Sequence, residues 1–271
     1  MTVKKIITGG CSFSIANTKQ TETWAGSLEQ NLPKFSYRHT GYHAQGQELI
    51  QKKISIALIE ELENYKPEEL LVIVMWSGIE RKAFYIDNVS IVDDLVNTWI
   101  KNKSFGMVDQ FLNLYNYIPT EDIRQISDNG FIYNRNGGWY SCQQNFRDHS
   151  LTKEYFNSYE TDIGPTTISL ENMVFLQNLC KVKNVRFFQM YYMDNVFKTL
   201  YDNRENLNVK YLYNQLDHDT ILSTVGMYDY LKNKKDMNLF TEDKLHPSPS
   251  GAKLFIDEVL IPKLIEKGVF N

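Results

Sequence analysis

The chain has 271 residues, of which 42% are hydrophobic and 23% are charged, and its formal net charge is -4. This length suffices for one large hydrophobic core or two modest ones, and the composition is that of an ordinary globular protein. The acidic balance and the lack of any Lys/Arg run argue against nucleic acid as a partner, because a protein that binds the phosphate backbone carries a basic surface.

The sequence contains no apolar segment long enough for a signal peptide or a membrane span. We therefore expect a cytoplasmic protein, released by lysis if its source is viral. The three cysteines, Cys11, Cys142 and Cys180, are odd in number and widely spaced. We expect a reduced setting without a disulfide framework, and no cysteine-based metal site, because no pair has the spacing of zinc ligands.

The first part of the chain predicts alternating strands and helices. Short apolar runs predict three strands, at 4–8, 35–39 and 70–76. Apolar residues that recur every four positions predict two helices between them, at 23–32 and 50–62. The third run is apolar throughout, which is typical of a parallel strand covered on both faces. This order predicts a doubly wound α/β sheet.

The last hundred residues continue the same alternation. They predict a helix at 170–181, a strand at 185–192 and a closing helix at 247–267. The pattern weakens at about 82–165, where Asn136-Gly137-Gly138 predicts a β-hairpin and two short stretches, 93–99 and 108–117, look helical. We interpret this middle part as an insertion of helices and a hairpin on one core, so that residues 1–271 form a single domain.

The turn Gly9-Gly10-Cys11-Ser12 places a hydroxyl directly after the first strand. In an open parallel sheet, ligands bind outside the carboxyl ends of the strands, and the two glycines let the backbone turn tightly. Ser12 is therefore a candidate nucleophile. The alternative is that Ser12 only caps a helix.

A second segment, Asp243-Lys244-Leu245-His246-Pro247, supplies a candidate base for that hydroxyl. Imidazole titrates near neutral pH, and a carboxylate on its other nitrogen holds it in one tautomer. The alternative is an exposed histidine at the start of a helix. Four other histidines compete with it: His39, His43, His149 and His218. His218 has two acidic neighbours, but we expect it on the surface.

A third segment, Ala44-Gln45-Gly46-Gln47, lies between the second strand and the second helix. A glycine here lets a backbone N–H approach a substrate oxygen, as an oxyanion hole requires. An ordinary turn glycine explains Gly46 equally well.

Together the three segments resemble the SGNH (GDSL-type) hydrolase superfamily. Gly10-Cys11-Ser12 stands at the family's Gly-Asp-Ser nucleophile motif, with Cys11 where the family usually has Asp, and the Asp-x-x-His block matches Asp243 and His246. Gly46 matches the glycine of the family's second block. The resemblance implies a three-layer, flavodoxin-like α/β sandwich with a central, mostly parallel sheet. It also implies a Ser12-His246-Asp243 triad, an oxyanion hole formed by Ser12 and Gly46, and no metal or organic cofactor.

The resemblance covers roughly 1–80 and 170–271, and it departs from the family at the third block. There the family has Gly-x-Asn-Asp, whose asparagine is an oxyanion donor, whereas this chain reads Trp76-Ser77-Gly78-Ile79-Glu80-Arg81. Ser77 or Gln47 could supply the donor instead, and Arg81 could contact an anionic group. The loss of one such donor costs about 3–4 kcal/mol where it has been measured. The Trp-Ser-Gly segment and Phe13 look like a divergent subgroup common in phage and bacterial genomes.

We therefore expect a serine esterase that acts on a small-molecule or carbohydrate ester, such as an O-acetyl group on a sugar. Aromatic and amide side chains of the insertion could stack on and hydrogen-bond to a sugar, or simply pack the insertion onto the core: Trp139, Tyr140, Asn145 and Tyr155. Two other functions stay open. One is acyl transfer with the same triad, and the other is a non-catalytic glycan-binding or virion-associated protein with a degenerate site.

Overall fold

The structure is a computed structural model that describes residues 3–15, 23–41, 45–86, 132–134, 137–143, 154 and 163–270. For residues 83–86, 132–134 and 137–143 it describes the backbone alone. The helices predicted at 93–99 and 108–117 lie outside this range.

A parallel sheet of four strands forms the centre of the molecule. Its strands are β1 (Lys5–Gly10), β2 (Ser36–His39), β3 (Leu70–Trp76) and β7 (Arg186–Tyr191), in the order β2-β1-β3-β7. Every residue of β3 is buried, as its unbroken apolar run predicts. The predicted strands and their parallel arrangement are thus confirmed.

Helices cover both faces of this sheet. The first two are α1 (Trp24–Asn31) and α2 (Gln47–Glu61), and α3 (Ile163–Val182) precedes β7. Thr23 caps α1 by accepting the Gly26 N–H, which explains why this helix begins where the apolar spacing starts. The helix α2 packs against α3. The predicted α/β sandwich is therefore confirmed.

Three short α-helices follow β7 in a region where we predicted no element from the sequence. They are α4 (Asp194–Asp202), α5 (Leu207–Tyr213) and α6 (Met227–Asn233). Each is nine residues or shorter, and α5 and α6 each bury only two side chains. The apolar repeat is thus too short to identify them.

The closing helix is interrupted, although its spacing predicts one continuous helix. It consists of α7 (Pro249–Phe255), a wider π turn at Ile256–Leu260 and α8 (Ile261–Glu266). Pro262 has no N–H to donate to the carbonyl four residues earlier, and in the adjacent turn the Ile261 N–H bonds to Ile256, five residues back. The helix α7 packs against α1.

A second, antiparallel sheet has the order β4-β6-β5. Its strands are β4 (Arg81–Ile86), β5 (Ile132–Asn134) and β6 (Gly137–Gln143). The strands β5 and β6 pair Asn134 with Gly137 across the turn, at the place where the sequence predicts a hairpin. Four residues separate the end of β3 from the start of β4, so this sheet is attached at the carboxyl edge of the parallel sheet.

Within the described helices, none is long and apolar enough to cross a membrane.

Candidate active site

Ser12 lies at the carboxyl end of β1, in a single helical turn at Ser12–Ser14. The backbone conformation before this turn requires a glycine at position 10. Gly10 has a φ of +150°, and an added Cβ would lie 2.2 Å from Ser14 Oγ and 2.6 Å from the Met75 carbonyl oxygen. Only glycine fits there. Gly9 has a different role from the one expected, since it lacks a positive φ and serves close packing against Ile54, whose Cδ1 would lie 2.4 Å from an added Cβ.

Two hydrogen bonds fix the turn that carries Ser12. The Ser14 N–H donates to the Cys11 carbonyl at 2.8 Å, and Trp24 Nε1 donates to Ser14 Oγ at 2.7 Å. All of these groups are buried. The Ser12 side chain therefore extends from a backbone that is held by the first helix as well as by the sheet.

The structure brings Ser12, His246 and Asp243 together. His246 Nε2 lies 2.8 Å from Ser12 Oγ, and His246 Nδ1 lies 2.5 Å from Asp243 Oδ2. The serine and the histidine are 234 residues apart in the chain. Both distances are within hydrogen-bond reach, so a hydroxyl, an imidazole and a carboxylate form one connected series.

The loop that carries His246 is closed by its own hydrogen bonds. Asp243 Oδ1 accepts the N–H groups of Leu245 and His246, both at 2.9 Å, and the Thr241 hydroxyl at 2.7 Å. Lys244 between them has a φ of +57°, the left-handed conformation that lets the chain fold back around the carboxylate. The His246 carbonyl in turn accepts the Thr241 N–H at 2.9 Å.

These contacts determine the charge of Asp243. Partial burial raises the pKa of its carboxyl, but the hydrogen bonds from the backbone of His246 and Leu245 and from the side chains of Thr241 and His246 lower it more. The net effect holds the pKa of Asp243 well below its ordinary value. The carboxylate is thus ionised at neutral pH, the state that holds a proton on His246 Nδ1.

Aromatic rings support the imidazole from one side. The Phe13 ring stacks on the His246 ring with centroids 5.0 Å apart, and the Tyr192 ring lies 5.1 Å from that of Phe13. Ser12 is 9% exposed, whereas the side chains of His246 and Asp243 are 33% and 46% exposed. The Ser12 hydroxyl is therefore less exposed to solvent than the side chains of His246 and Asp243.

The first candidates for oxyanion donors lie where α2 begins. Gly46 is buried and occupies the N-terminal cap of α2, with φ -79°, so no left-handed conformation requires a glycine there. Gln47 Nε2 donates to the Ser77 carbonyl at 2.6 Å, and this bond ties the start of α2 to the turn after β3. The Ser77 hydroxyl is buried and has no hydrogen-bond partner among the described residues.

Arg81 follows that turn, and its backbone N–H donates to the Gly78 carbonyl at 3.2 Å. Its Cζ is 5.6 Å from the centre of the Tyr192 ring. Burial lowers the pKa of this guanidinium, but Cys11, Tyr192 and Glu80 raise it more, so that Arg81 stays charged. The structure therefore places a cation close to the aromatic side of the site.

The remaining predicted site residues lie elsewhere or are not described. Trp139 and Tyr140 are on β6, and their side chains lie outside the described part of the structure. His39 is on β2, where it contacts Thr8 and Glu29, and His218 is exposed as expected. His43, His149, Asn145 and Tyr155 lie outside the described residues.

Two contributors to this geometry were missed by the sequence analysis. Thr241 bonds to the Asp243 carboxylate, and Phe13 packs on the His246 ring. Aspartate side chains form local hydrogen bonds in turns, so a hydroxyl two residues away was a recognisable candidate partner. The Phe13–His246 contact joins residues far apart in the chain, so no local sequence pattern predicts it.

The fold and the site together define an α/β sandwich with a serine, a histidine and an aspartate in hydrogen-bonding series at the carboxyl edge of its sheet. Among residues 3–15, 23–41, 45–82 and 163–270, no group of three or more His, Cys, Asp or Glu side chains could hold a metal ion.

No family model matches the sequence, and no curated protein matches it. Among solved structures the chain is similar to the protein YxiM from Bacillus subtilis, with 11% identity, 99% of this chain covered and a TM-score of 0.48. The chain spans 58% of the length of that protein.

Two further similar structures have names that state a class. A member of the lipolytic G-D-S-L family from Veillonella parvula is 9% identical over 97% of both chains, with a TM-score of 0.41. LAE5, an α/β hydrolase from the metagenome of Lake Arreo in Spain, is 11% identical over 100% of this chain and 98% of its own, with a TM-score of 0.40. At these values the similarity gives no indication of activity or substrate.

Proposed function

We propose that the protein is a serine ester hydrolase in which Ser12 is the nucleophile, His246 the general base and Asp243 its orienting carboxylate. The observation that carries this proposal is the series of contacts from Ser12 Oγ through both ring nitrogens of His246 to Asp243 Oδ2, at 2.8 and 2.5 Å. A hydroxyl is a weak nucleophile unless a base is positioned to take its proton, and this geometry provides that base.

In the first half of the reaction, Ser12 Oγ bonds to the carbonyl carbon of the ester while its proton passes to His246 Nε2. The imidazolium then gives that proton to the leaving alcohol, and an acyl-enzyme remains. Asp243 is ionised at neutral pH, and the hydrogen bonds that lower its pKa favour this charged form, so it stabilises the imidazolium and keeps the other proton on Nδ1. In the second half, water gives a proton to His246 as its oxygen bonds to the acyl carbon. The bond from that carbon to Ser12 Oγ then breaks, the imidazolium returns the proton to Ser12 Oγ, and the acid is released.

The tetrahedral intermediate needs donors for its oxyanion, and we assign the N–H groups of Ser12 and Gly46 to this role. Ser12 begins a helical turn, where backbone N–H groups have no carbonyl partner within the turn itself. Ser77 is our candidate for the third donor, because its buried hydroxyl has no partner in the described part of the chain. Gln47 has a different role in this proposal, since its amide nitrogen holds the Ser77 carbonyl.

We base the proposed substrate class on two residues of the second sheet. Trp139 and Tyr140 are candidate contacts for a sugar that carries an O-acetyl group. A degenerate, non-catalytic site is a weaker reading, because three separate donors hold Asp243 Oδ1 in the position that aims its other oxygen at His246.

The test is the substitution Ser12→Ala assayed with 4-nitrophenyl acetate. We expect hydrolysis to fall to the background rate while the melting temperature stays nearly unchanged, because among the described residues Ser12 Oγ hydrogen-bonds only to a partly exposed imidazole. A fluorophosphonate probe should label the parent protein at Ser12 and fail to label the variant.

Ser14→Ala is the matched control, since it removes the other hydroxyl of the same turn. It leaves Trp24 Nε1 buried without an acceptor, which costs about 1–3 kcal/mol of stability. The backbone bond from the Ser14 N–H to the Cys11 carbonyl persists in this variant. The control should therefore melt earlier yet retain activity while folded, the reverse of Ser12→Ala. Activity of Ser12→Ala at the parent rate would refute the assignment of the nucleophile.

A further inference from the structure

Arg81 has two donors that the fold leaves unused. Its Nε and Nη1 atoms are buried and have no hydrogen-bond partner within the described part of the structure. Buried polar groups are bonded in at least about 90% of cases, and a guanidinium cannot avoid the cost by losing its proton. Two unsatisfied donors on one permanent cation therefore indicate a ligand group that contains acceptor oxygens.

These donors lie next to the candidate triad. Arg81 stacks near the Tyr192 ring, which contacts Phe13, and Phe13 in turn stacks on the His246 ring. Cys11, the residue that precedes Ser12, also interacts with the guanidinium and raises its pKa. A group bound to Arg81 is thus close enough to belong to the same molecule as an ester at Ser12.

Among the described residues no carboxylate forms a salt bridge with Arg81, although the neighbouring Glu80 raises the pKa of its guanidinium. The Glu80 carboxylate folds over Gly78, where an added Cβ would lie 2.2 Å from both of its oxygens, and no ion pair of the described residues joins it to Arg81. The neighbouring Lys82 is neutralised by Glu48. A guanidinium in contact with a thiol and a tyrosine ring, but with no carboxylate, is suited to bind an anion.

We propose that Arg81 binds a carboxylate or similar anionic group that the substrate carries beside its ester. This inference rests on the proposed esterase function and adds a substrate class to it. The anion can belong to the acid part or to the alcohol part of the ester, and both place acceptor oxygens on the guanidinium.

The experiment compares two pairs of esters that differ only in charge. The pair 4-acetoxybenzoate and 4-acetoxybenzamide tests an anion in the alcohol, and monomethyl adipate and methyl adipamate test an anion in the acid. We expect the parent enzyme to prefer the anionic member in one pair. Arg81→Gln should lower the anionic-to-neutral ratio of kcat/KM in that pair by about 10- to 100-fold, the factor that one charge-assisted hydrogen bond provides.

Two further variants separate charge recognition from a structural effect. Arg81→Lys keeps the charge without the planar fork, so it should recover part of the ratio that Arg81→Gln loses. Arg204→Gln removes an arginine that also stacks on a tyrosine, with its Cζ 3.6 Å from the Tyr201 ring centre, but contacts no residue of the triad. It should leave the ratio unchanged. A parent enzyme that cleaves the esters but prefers neither member of either pair, or an unchanged ratio in Arg81→Gln, would overturn the proposal.

Binding without turnover distinguishes failure of this inference from failure of the esterase function. In the Ser12→Ala background, titration calorimetry with 4-acetoxybenzoate and with adipate monomethyl ester should detect one ligand. Adding Arg81→Gln should weaken its Kd by about 10- to 100-fold. If the parent cleaves none of the four esters but this weakening is seen, the esterase proposal fails and Arg81 remains an anion site. Equal Kd values in both backgrounds refute the role of Arg81.

Discussion

Asp243→Asn tests whether the carboxylate controls the tautomer of His246. In the structure Oδ1 accepts three hydrogen bonds, and an asparagine oxygen can accept the same three, so the loop should persist. The change falls on the other position, where an NH₂ donor would replace the oxygen that lies 2.5 Å from His246 Nδ1. The ring then has to present an acceptor at Nδ1 and carry its proton on Nε2, facing Ser12, where it cannot accept another.

The expected loss follows from this reversal. The corresponding substitution in a serine protease triad lowers kcat by about 10⁴-fold. The Asp243 side chain is 46% exposed, so water competes with the amide and lets some rings reach the active tautomer. We therefore expect a loss of about 10²- to 10⁴-fold in kcat for 4-nitrophenyl acetate, with a small change in melting temperature.

The matched control is Asp217→Asn. Like Asp243, Asp217 is an exposed aspartate close to a histidine, in this case the adjacent His218. Its Oδ1 accepts the Asp219 N–H at 3.0 Å, and no described hydrogen bond links it to Ser12 or His246. This variant should keep the parent kcat. Retention of more than about a tenth of kcat by Asp243→Asn would refute the tautomer argument, because even one decade is less than the smallest loss expected.

Two further predictions concern stability. Gly10→Ala should destabilise the fold by about 2–5 kcal/mol in urea unfolding. The φ of +150° at Gly10 disfavours a side chain, and the added Cβ would meet Ser14 Oγ at 2.2 Å. Gly164→Ala, whose added Cβ would meet nothing within 4 Å, should have no such cost. Burial lowers the pKa of Lys53 to about 7, so the folded state bears the cost of its charge in full below pH 7 and loses that cost as the pH rises towards 10.5. Lys53→Met should accordingly raise the free energy of unfolding by about 1–3 kcal/mol at pH 6 and by less at pH 10, and an equal effect at both pH values would contradict this account.

The parallel sheet could be predicted because its strands are buried on both faces. An unbroken apolar run such as Leu70–Trp76 needs no knowledge of its neighbours to be recognised, and each of its residues is buried. The helices α4, α5 and α6 could not be predicted in the same way. They are short and only partly buried, so their apolar positions do not repeat often enough to indicate a period.

The closing helix shows a different limit. Its apolar spacing predicts a continuous helix, and the residues that follow Pro249 are indeed helical. The π turn at Ile256–Leu260 arises from the hydrogen-bond pattern next to Pro262, which apolar spacing does not report. A proline inside a predicted helix is therefore the signal that was available and was not used.

In the candidate site, the local parts were predictable and the contacts between them were not. The Asp-x-x-His spacing suffices to suggest that Asp243 reaches the ring of His246, since both lie in one loop. Nothing in either segment reports that the ring lies on Phe13 or that Gln47 binds the Ser77 carbonyl. Such contacts depend on which loops the sheet order brings side by side.

The sheet order also helps to explain how the serine and the histidine meet. Ser12 follows β1, which lies beside β3 in the middle of the sheet, and Tyr192 follows β7 on the far side of β3. The Phe13 ring, next to Ser12, contacts both the Tyr192 ring and the His246 ring. The His246 loop is therefore held by an aromatic contact to the nucleophile's own turn as well as by Thr241. A change that moves Phe13 should misplace the base without touching any group that takes part in proton transfer, which makes the ring a positioning element of the proposed triad.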